Sequence, residues 1–239
     1  MGLFYHGGRG LSTGFNCDSR HTWVLAERCR LCSVMENLTI RRATPADTKR
    51  IAEIMAGEPG REAAAIAGSE EGARRLWMEM VRMPGSPMGW HVTTVAEAGD
   101  MVLGILQAGD QESSIKITPG LVFLTLRVVG PLGIVGLVRR LKAQGRVKPP
   151  PIPGAYRVRE LHVDPRYRSR GIGCALLNHA EAEARTGGYT QMTLTTTTVN
   201  PARHLYERHG YRVVDTRTDP DYERYTGIAG RHRMVKDLG

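Results

Sequence analysis

Between Tyr156 and Arg185 a strand-like apolar run, a short basic turn with two glycines and a helix-like run follow one another, and this order constrains the fold more than any other stretch of the chain. The turn reads Arg168-Ser169-Arg170-Gly171-Ile172-Gly173. N–H groups in the first turn of a helix have no intrahelical partner, and the helix dipole adds partial positive charge at the same end. Such a turn is a ready site for an anion. Gly171 and Gly173 permit dihedrals and a close backbone approach that a Cβ would hinder, while Arg168 and Arg170 offer charge-assisted donors to phosphate oxygens. Two phosphate-binding patterns fail on the letters. No Lys-Ser or Lys-Thr follows the glycines as a P-loop requires, and position 176 is Leu where a dinucleotide fingerprint requires Gly.

The flanks define the local architecture. Tyr156 to Val163 alternates partly with period two and ends at Asp164-Pro165, a pair that turns the chain and stops ladder pairing. Downstream, Ala175, Leu176, Ala180 and Ala184 recur at helical spacing until Gly187-Gly188. Tyr189 to Val199 is rich in Thr and reads as a strand by its β-branched content. A short helix then follows, with Asn200 as cap, Pro201 at the start and Gly210 at the end.

The turn resembles the R/Q-x-x-G-x-G/A signature of the GNAT superfamily of acyl-CoA-dependent N-acyltransferases, with Arg168, Gly171 and Gly173 at its fixed positions. Asn200 to Tyr211 resembles the family's second landmark, N-x-x-A-x-x-[LF]-Y-x-x-x-G-[FY], with one residue fewer before the Ala. The resemblance implies a mixed α/β (α+β) GNAT acyltransferase fold, a central and mostly antiparallel sheet splayed around the coenzyme A site and flanked by helices. It implies acetyl-CoA as acyl donor and a primary amine as acceptor. Leu161, His162, Val163, Arg168, Ser169, Arg170, Gly171, Ile172, Gly173, Cys174, Ala175, Asn200 and Tyr206 would then form the donor site. By the same resemblance Tyr206 protonates the departing thiolate, a role that suits an aryl hydroxyl held within hydrogen-bond reach. Glu160 is the candidate base, acting directly or through water. His162 shares its strand face and is the second candidate. A strand carboxylate paired with Arg157 or Arg159 is the competing reading of Glu160. Alternative functions are a protein N-terminal or lysine acetyltransferase and a non-catalytic acyl-CoA sensor. The chemistry needs no metal.

A formal charge of +9 raises acidic partners in general, of which coenzyme A is one. Dedicated nucleic-acid binding is argued against: the arginines are scattered, and at 6% aromatic content there is little to stack on bases. Cys29-Arg-Leu-Cys32 is a C-x-x-C, but Cys17, His6 and His21 do not supply a zinc site of common spacing. The cysteine usage and the lack of a secretory h-region point to a cytoplasmic, reducing setting.

Met1 to Val34 carries three of the four cysteines and no sustained period, so it reads as an extension, disordered or upstream of a true start at Met35. The acyltransferase domain is expected over 35–239. Residues 48 to 83 hold two helical patterns separated by Gly57-Glu-Pro-Gly60. His91 to Ala96 and Met101 to Ala108 make a hairpin turned at Gly99-Asp100. The insertion at 115–150 contains Leu121 to Val138, an 18-residue run with one charge. That reaches the lower limit of a membrane span, but Gly130-Pro131 and Gly133 interrupt it, so two short apolar helices either side of Pro131 are expected. They pack on the sheet or form a homodimer interface, or they serve as a lid or, through 121–142, touch a membrane surface.

Overall fold

The computed structural model describes residues 37–57, 60–83, 85–110, 119–130 and 133–239. The expectations for residues 1–34, including those for Cys17, Cys29 and Cys32, lie outside the described residues. Seven strands form one sheet in the order β1-β2-β3-β4-β5-β7-β6. They are β1 (Leu38–Arg42), β2 (Thr94–Ala98), β3 (Met101–Gly109), β4 (Tyr156–Val163), β5 (Gln191–Thr197), β6 (Arg212–Thr218) and β7 (Gly230–Asp237). β4 and β5 are parallel, and every other neighbouring pair is antiparallel.

The helices are α1 (Thr48–Gly57), α2 (Gly60–Ala67), α3 (Glu70–Arg82), α4 (Pro119–Val129), α5 (Ile134–Val147), α6 (Ile172–Thr186), α7 (Arg203–Arg208) and α8 (Pro220–Thr226). Two helical patterns before β2 become three helices, because Gly68 takes φ +87° and Ser69 caps α3 by accepting the Gly72 N–H at 3.0 Å. The hairpin of β2 and β3 turns at Gly99, φ +60°. Its first strand begins only at Thr94, since Trp90–Val92 form a 3-10 turn. In the insertion α4 and α5 fall on either side of Pro131, as the sequence reading expects. Among the described residues no helix is long and apolar enough to cross a membrane.

Two apolar clusters cover the two faces of the sheet. On one face α6 turns Ile172, Leu176, Ala180 and Ala184, a stripe at four-residue spacing, onto Tyr156, Val158, Met192, Leu194 and Met234. On the other, Ile51, Ile54 and Met55 of α1 meet Val95, Val102 and Ile105. A third, smaller cluster joins Ala143 and Val147 of α5 to Tyr222 and Ile228 around α8. The outer faces of α4 and α5 are left apolar and exposed: Val122, Phe123, Leu126, Val135, Val138 and Leu141.

Candidate active site

β4 and β5 pair at three positions only, Tyr156 with Met192, Arg157 with Thr193 and Val158 with Leu194. β4 continues to Val163 and β5 to Thr197 without pairing to each other. On its other edge β4 stays bound to β3 as far as Val163 opposite Gly104. Among the described residues no strand pairs with the β5-facing edge of β4 beyond Val158, and an extended ligand can pair with it as an added strand would. Gly104 lets the layers close at this point. A Cβ there would stand 3.1 Å from His162 O, 3.1 Å from Ile172 Cγ2 and 3.2 Å from Leu176 Cδ1.

A bulge sets which side chains face the opening. The β3–β4 register shifts between Gln107, opposite Glu160, and Ala108, opposite Val158, so the ladder steps across Arg159. Before it, Tyr156 and Val158 face α6; after it, Leu161 and Val163 do. Arg157, Glu160 and His162 consequently share the opposite face. Glu160 does not pair with Arg157, which makes no ion pair among the described residues. Its carboxylate Oε2 lies 2.9 Å from His162 Nε2 instead, and each side chain is 28% exposed, enclosed but open to a reactant.

The end of β4 is fastened before the basic turn begins. Asp164 accepts the Arg166 backbone N–H at 3.0 Å and the Arg166 guanidinium at 2.8 and 3.1 Å, and it also accepts from Arg50 of α1. Arg166 above all, with Arg50, holds its carboxyl well below the usual carboxylate range against the opposing effect of burial. Arg50 Nε in turn donates to Val102 O at 3.0 Å, so α1, β3 and the turn are fixed together.

Within the turn, Ser169 adopts φ +60° and Gly171 φ +83°, and α6 starts at Ile172. Its first internal bond runs from Ala175 N–H to Gly171 O. The N–H groups of Ile172, Gly173 and Cys174 are left without intrahelical partners, aimed where an anion would sit. No acidic residue occurs between Pro165 and Ala180 to oppose one. The Arg168 Nε donates to Val163 O at 3.2 Å, and the Arg170 guanidinium lies over the Tyr167 ring, 5.2 Å from its centroid. Gly173 lets α7 approach, since a Cβ would meet Leu205 Cδ2 at 3.1 Å.

Beyond β5, Asn200 caps as its sequence context predicts, accepting the Ala202 N–H on Oδ1 at 2.9 Å, although regular helix begins only at Arg203. α7 buries Tyr206, whose ring packs edge-on to Tyr211 with centroids 6.1 Å apart. The Tyr206 hydroxyl makes no hydrogen bond among the described residues. Burial first, then the Glu160 charge on the facing strand, push its pKa up to about 12, so it keeps its proton at neutral pH.

Sequence reasoning missed two features. One is the lock of Asp164 by Arg50 and Arg166, whose local half is signalled by Asp-Pro-Arg. The other is a set of cations on the Glu160 face, Arg157 on β4 and Arg231 on β7, which are far apart in sequence. A separate hollow of about 260 Å³, lined by Val81, Trp90 and His91 among others, shares no residue with this site.

Residues 121–213, from α4 into β6, match the family model described as the acetyltransferase (GNAT) domain. Among solved structures, one described as an acetyltransferase is 23% identical with a TM-score of 0.53, covering 84% of this chain and 100% of its own. A GCN5-related N-acetyltransferase from Kribbella flavida is 20% identical with a TM-score of 0.50, over 84% of this chain and 98% of its own. No curated protein is significantly similar to the sequence. The family match over 121–213 and the shared fold agree with the two motifs and their order, and the chain is similar to GNAT acetyltransferases in both respects.

Proposed function

We propose that the protein transfers the acetyl group of acetyl-CoA to a primary amine by direct attack within a ternary complex. The observation that carries this reading is the parting of β4 and β5 after Val158 and Leu194 beside the α6 N-terminus. The free edge of β4 at 161–163 suits the amide-bearing arm of coenzyme A. The turn from Arg168 to Ala175 suits its pyrophosphate, for which the exposed N–H groups and the arginines supply donors. Asn200, holding the start of α7, borders the same arm.

The transfer needs three things: a deprotonated amine, a held carbonyl and a proton for the leaving thiolate. Glu160 and His162 form a hydrogen-bonded pair that takes the amine proton. With Glu160 Oε2 accepting from Nε2–H, Nδ1 of His162 is left with its lone pair free, so the two act as one unit. Backbone N–H groups on the free edge of β4 hold the thioester carbonyl. Tyr206, protonated and with an unclaimed hydroxyl, supplies the thiolate's proton.

Thiol release from acetyl-CoA, followed with amino acids, small amines, polyamines, aminoglycosides and peptides as acceptors, tests the reading. Amine-dependent release is the expected result. Stabilisation of the fold by coenzyme A with no release for any acceptor would instead favour a sensor, and activity confined to peptides a protein acetyltransferase.

A second reading concerns the insertion. The exposed Val122, Phe123, Leu126, Val135, Val138 and Leu141 share α4 and α5 with Arg127, Arg139 and Lys142, and no acidic residue lies between Ile115 and Pro153. An apolar face with basic residues beside it suits an anionic membrane surface. Salt-sensitive flotation with anionic vesicles, lost on Phe123→Asp, is expected. Absence of flotation together with a dimeric mass would reassign the face to a second copy of the chain.

A further inference from the structure

The proposed reading names a donor and reacting groups but not the molecule to which the amine belongs. On the Glu160 face of the sheet, past the point where β4 and β5 part, the side chains are predominantly cationic. Arg157 stands in register with Thr193, at the root of the opening. Arg231 on β7 is in register with Thr197 at the far end of β5, and directly opposite Arg217 on β6. Like charges placed opposite each other on an antiparallel ladder are destabilising, and each arginine here has one carboxylate beside it, Glu62 for Arg231 and Asp215 for Arg217. Lys148, just after α5, lies within electrostatic reach of both Arg157 and Arg231.

The nearby carboxylates are each shared with a further group, and none contacts Arg157 or Lys148. Glu62 of α2 lies 3.3 Å from Arg231 and accepts the Tyr222 hydroxyl. Asp215 is shared by Arg217 at 3.2 Å and Arg233 at 3.5 Å. Glu160 is joined to His162. Arg157 and Lys148 make no ion pair among the described residues. Arg157 is also half-buried, and its pKa is lowered, by burial first and then by the like charges of Arg231 and Arg159. Only the more distant charge of Glu160 opposes this, and a half-buried guanidinium with no carboxylate in direct contact is a costly arrangement that an anionic ligand would relieve.

We infer that the acceptor carries an oxyanion, a carboxylate or a phosphate, which Arg157 and Arg231 hold while its amine faces Glu160 and His162. This inference rests on the acetyl-transfer reading. Arg157 and Glu160 are three positions apart on one strand, at most about 10 Å, and the long arginine side chain shortens the span. Anion and amine therefore belong to one small molecule. The positive field also favours the unprotonated amine, the form that attacks, and disfavours polycations.

The test uses matched acceptors with acetyl-CoA: β-alanine against its amide, phosphoethanolamine against ethanolamine, and spermidine as the polycation. The anionic member of at least one pair should have kcat/KM on the order of 10- to 100-fold higher, the range expected for a hydrogen bond to a charged group. Which pair responds distinguishes carboxylate from phosphate. Arg157→Gln should remove most of that preference through KM for the acceptor, with KM for acetyl-CoA unchanged, and Arg157→Lys should restore part of it. Arg231→Gln provides an independent second variant if the first folds poorly. Equal or better turnover of the amide, ethanolamine or spermidine would overturn the inference while leaving acetyl transfer intact. Failure of every acceptor, anionic or not, would overturn the transfer reading as well.

Discussion

β4 carries two kinds of surface back to back. Toward α6 it presents Tyr156, Val158, Leu161 and Val163 to a packed apolar layer, and toward the other side Arg157, Glu160 and His162. Burial dictates the first set, where nearly any change leaves a hole or a clash. The second set is tolerated by folding rather than required by it: charged residues that water or a ligand must satisfy. The bulge at Arg159 exchanges the two phases in mid-strand, and it does so where β5 turns away. One strand thus seals the core at its beginning and offers chemistry at its end.

Substitutions on the two faces should fail in different ways. The largest effect on rate is expected from Tyr206→Phe, which removes the proposed proton donor and should lower kcat by on the order of 10²-fold or more while coenzyme A binding persists. Unchanged turnover would remove Tyr206 from the mechanism. Glu160→Gln should cost less, about 10- to 10²-fold in kcat, because His162 remains to accept a proton, and the pH–rate profile should shift with it.

On the apolar side the readout is stability. Gly104→Val drives side-chain carbons into His162 O, Ile172 and Leu176, and should destabilise by about 1–3 kcal/mol, seen as a Tm lower by several degrees. An unaltered Tm would show that the layers at β3 and α6 are looser than these distances imply. The smallest expected effect belongs to the lock after β4. Because the carboxyl of Asp164 is lowered in the folded state, its contribution is present above the usual carboxylate range near pH 4 and is lost as pH falls through and below that range. Asp164→Asn should therefore cost about 1–2 kcal/mol at neutral pH and progressively less as pH falls below about 4, as measured by urea unfolding at pH 7 and pH 3.

Much of the proposed donor half was legible in the sequence. Period-two alternation, Asp-Pro, two glycines and a four-residue stripe are all local signals, and they place β4, the turn and α6. The same holds for Asn200, whose side-chain cap is a matter of two residues. The phase exchange at Arg159 was not legible, because a bulge arises from the register with β3 and leaves no letter of its own. β7 was missed as well: after β6 the chain passes through α8 and returns between β5 and β6, a choice of partner made by long-range pairing. Arg231 arrives with β7, so the cationic face could not be assembled before the topology was known. The break at Gly68-Ser69 has a local signal, a glycine followed by a good cap, but it sits inside a helical pattern that continues on both sides.

Amide hydrogen exchange with and without acetyl-CoA places the donor most directly. Protection should appear together at 161–163, on the unpaired edge of β4, and at 171–175, where α6 begins, with little change along β1, β2 or β6. Binding of acetyl-CoA that leaves both segments unprotected would contradict the assignment of the parted strands as the acyl-donor cleft.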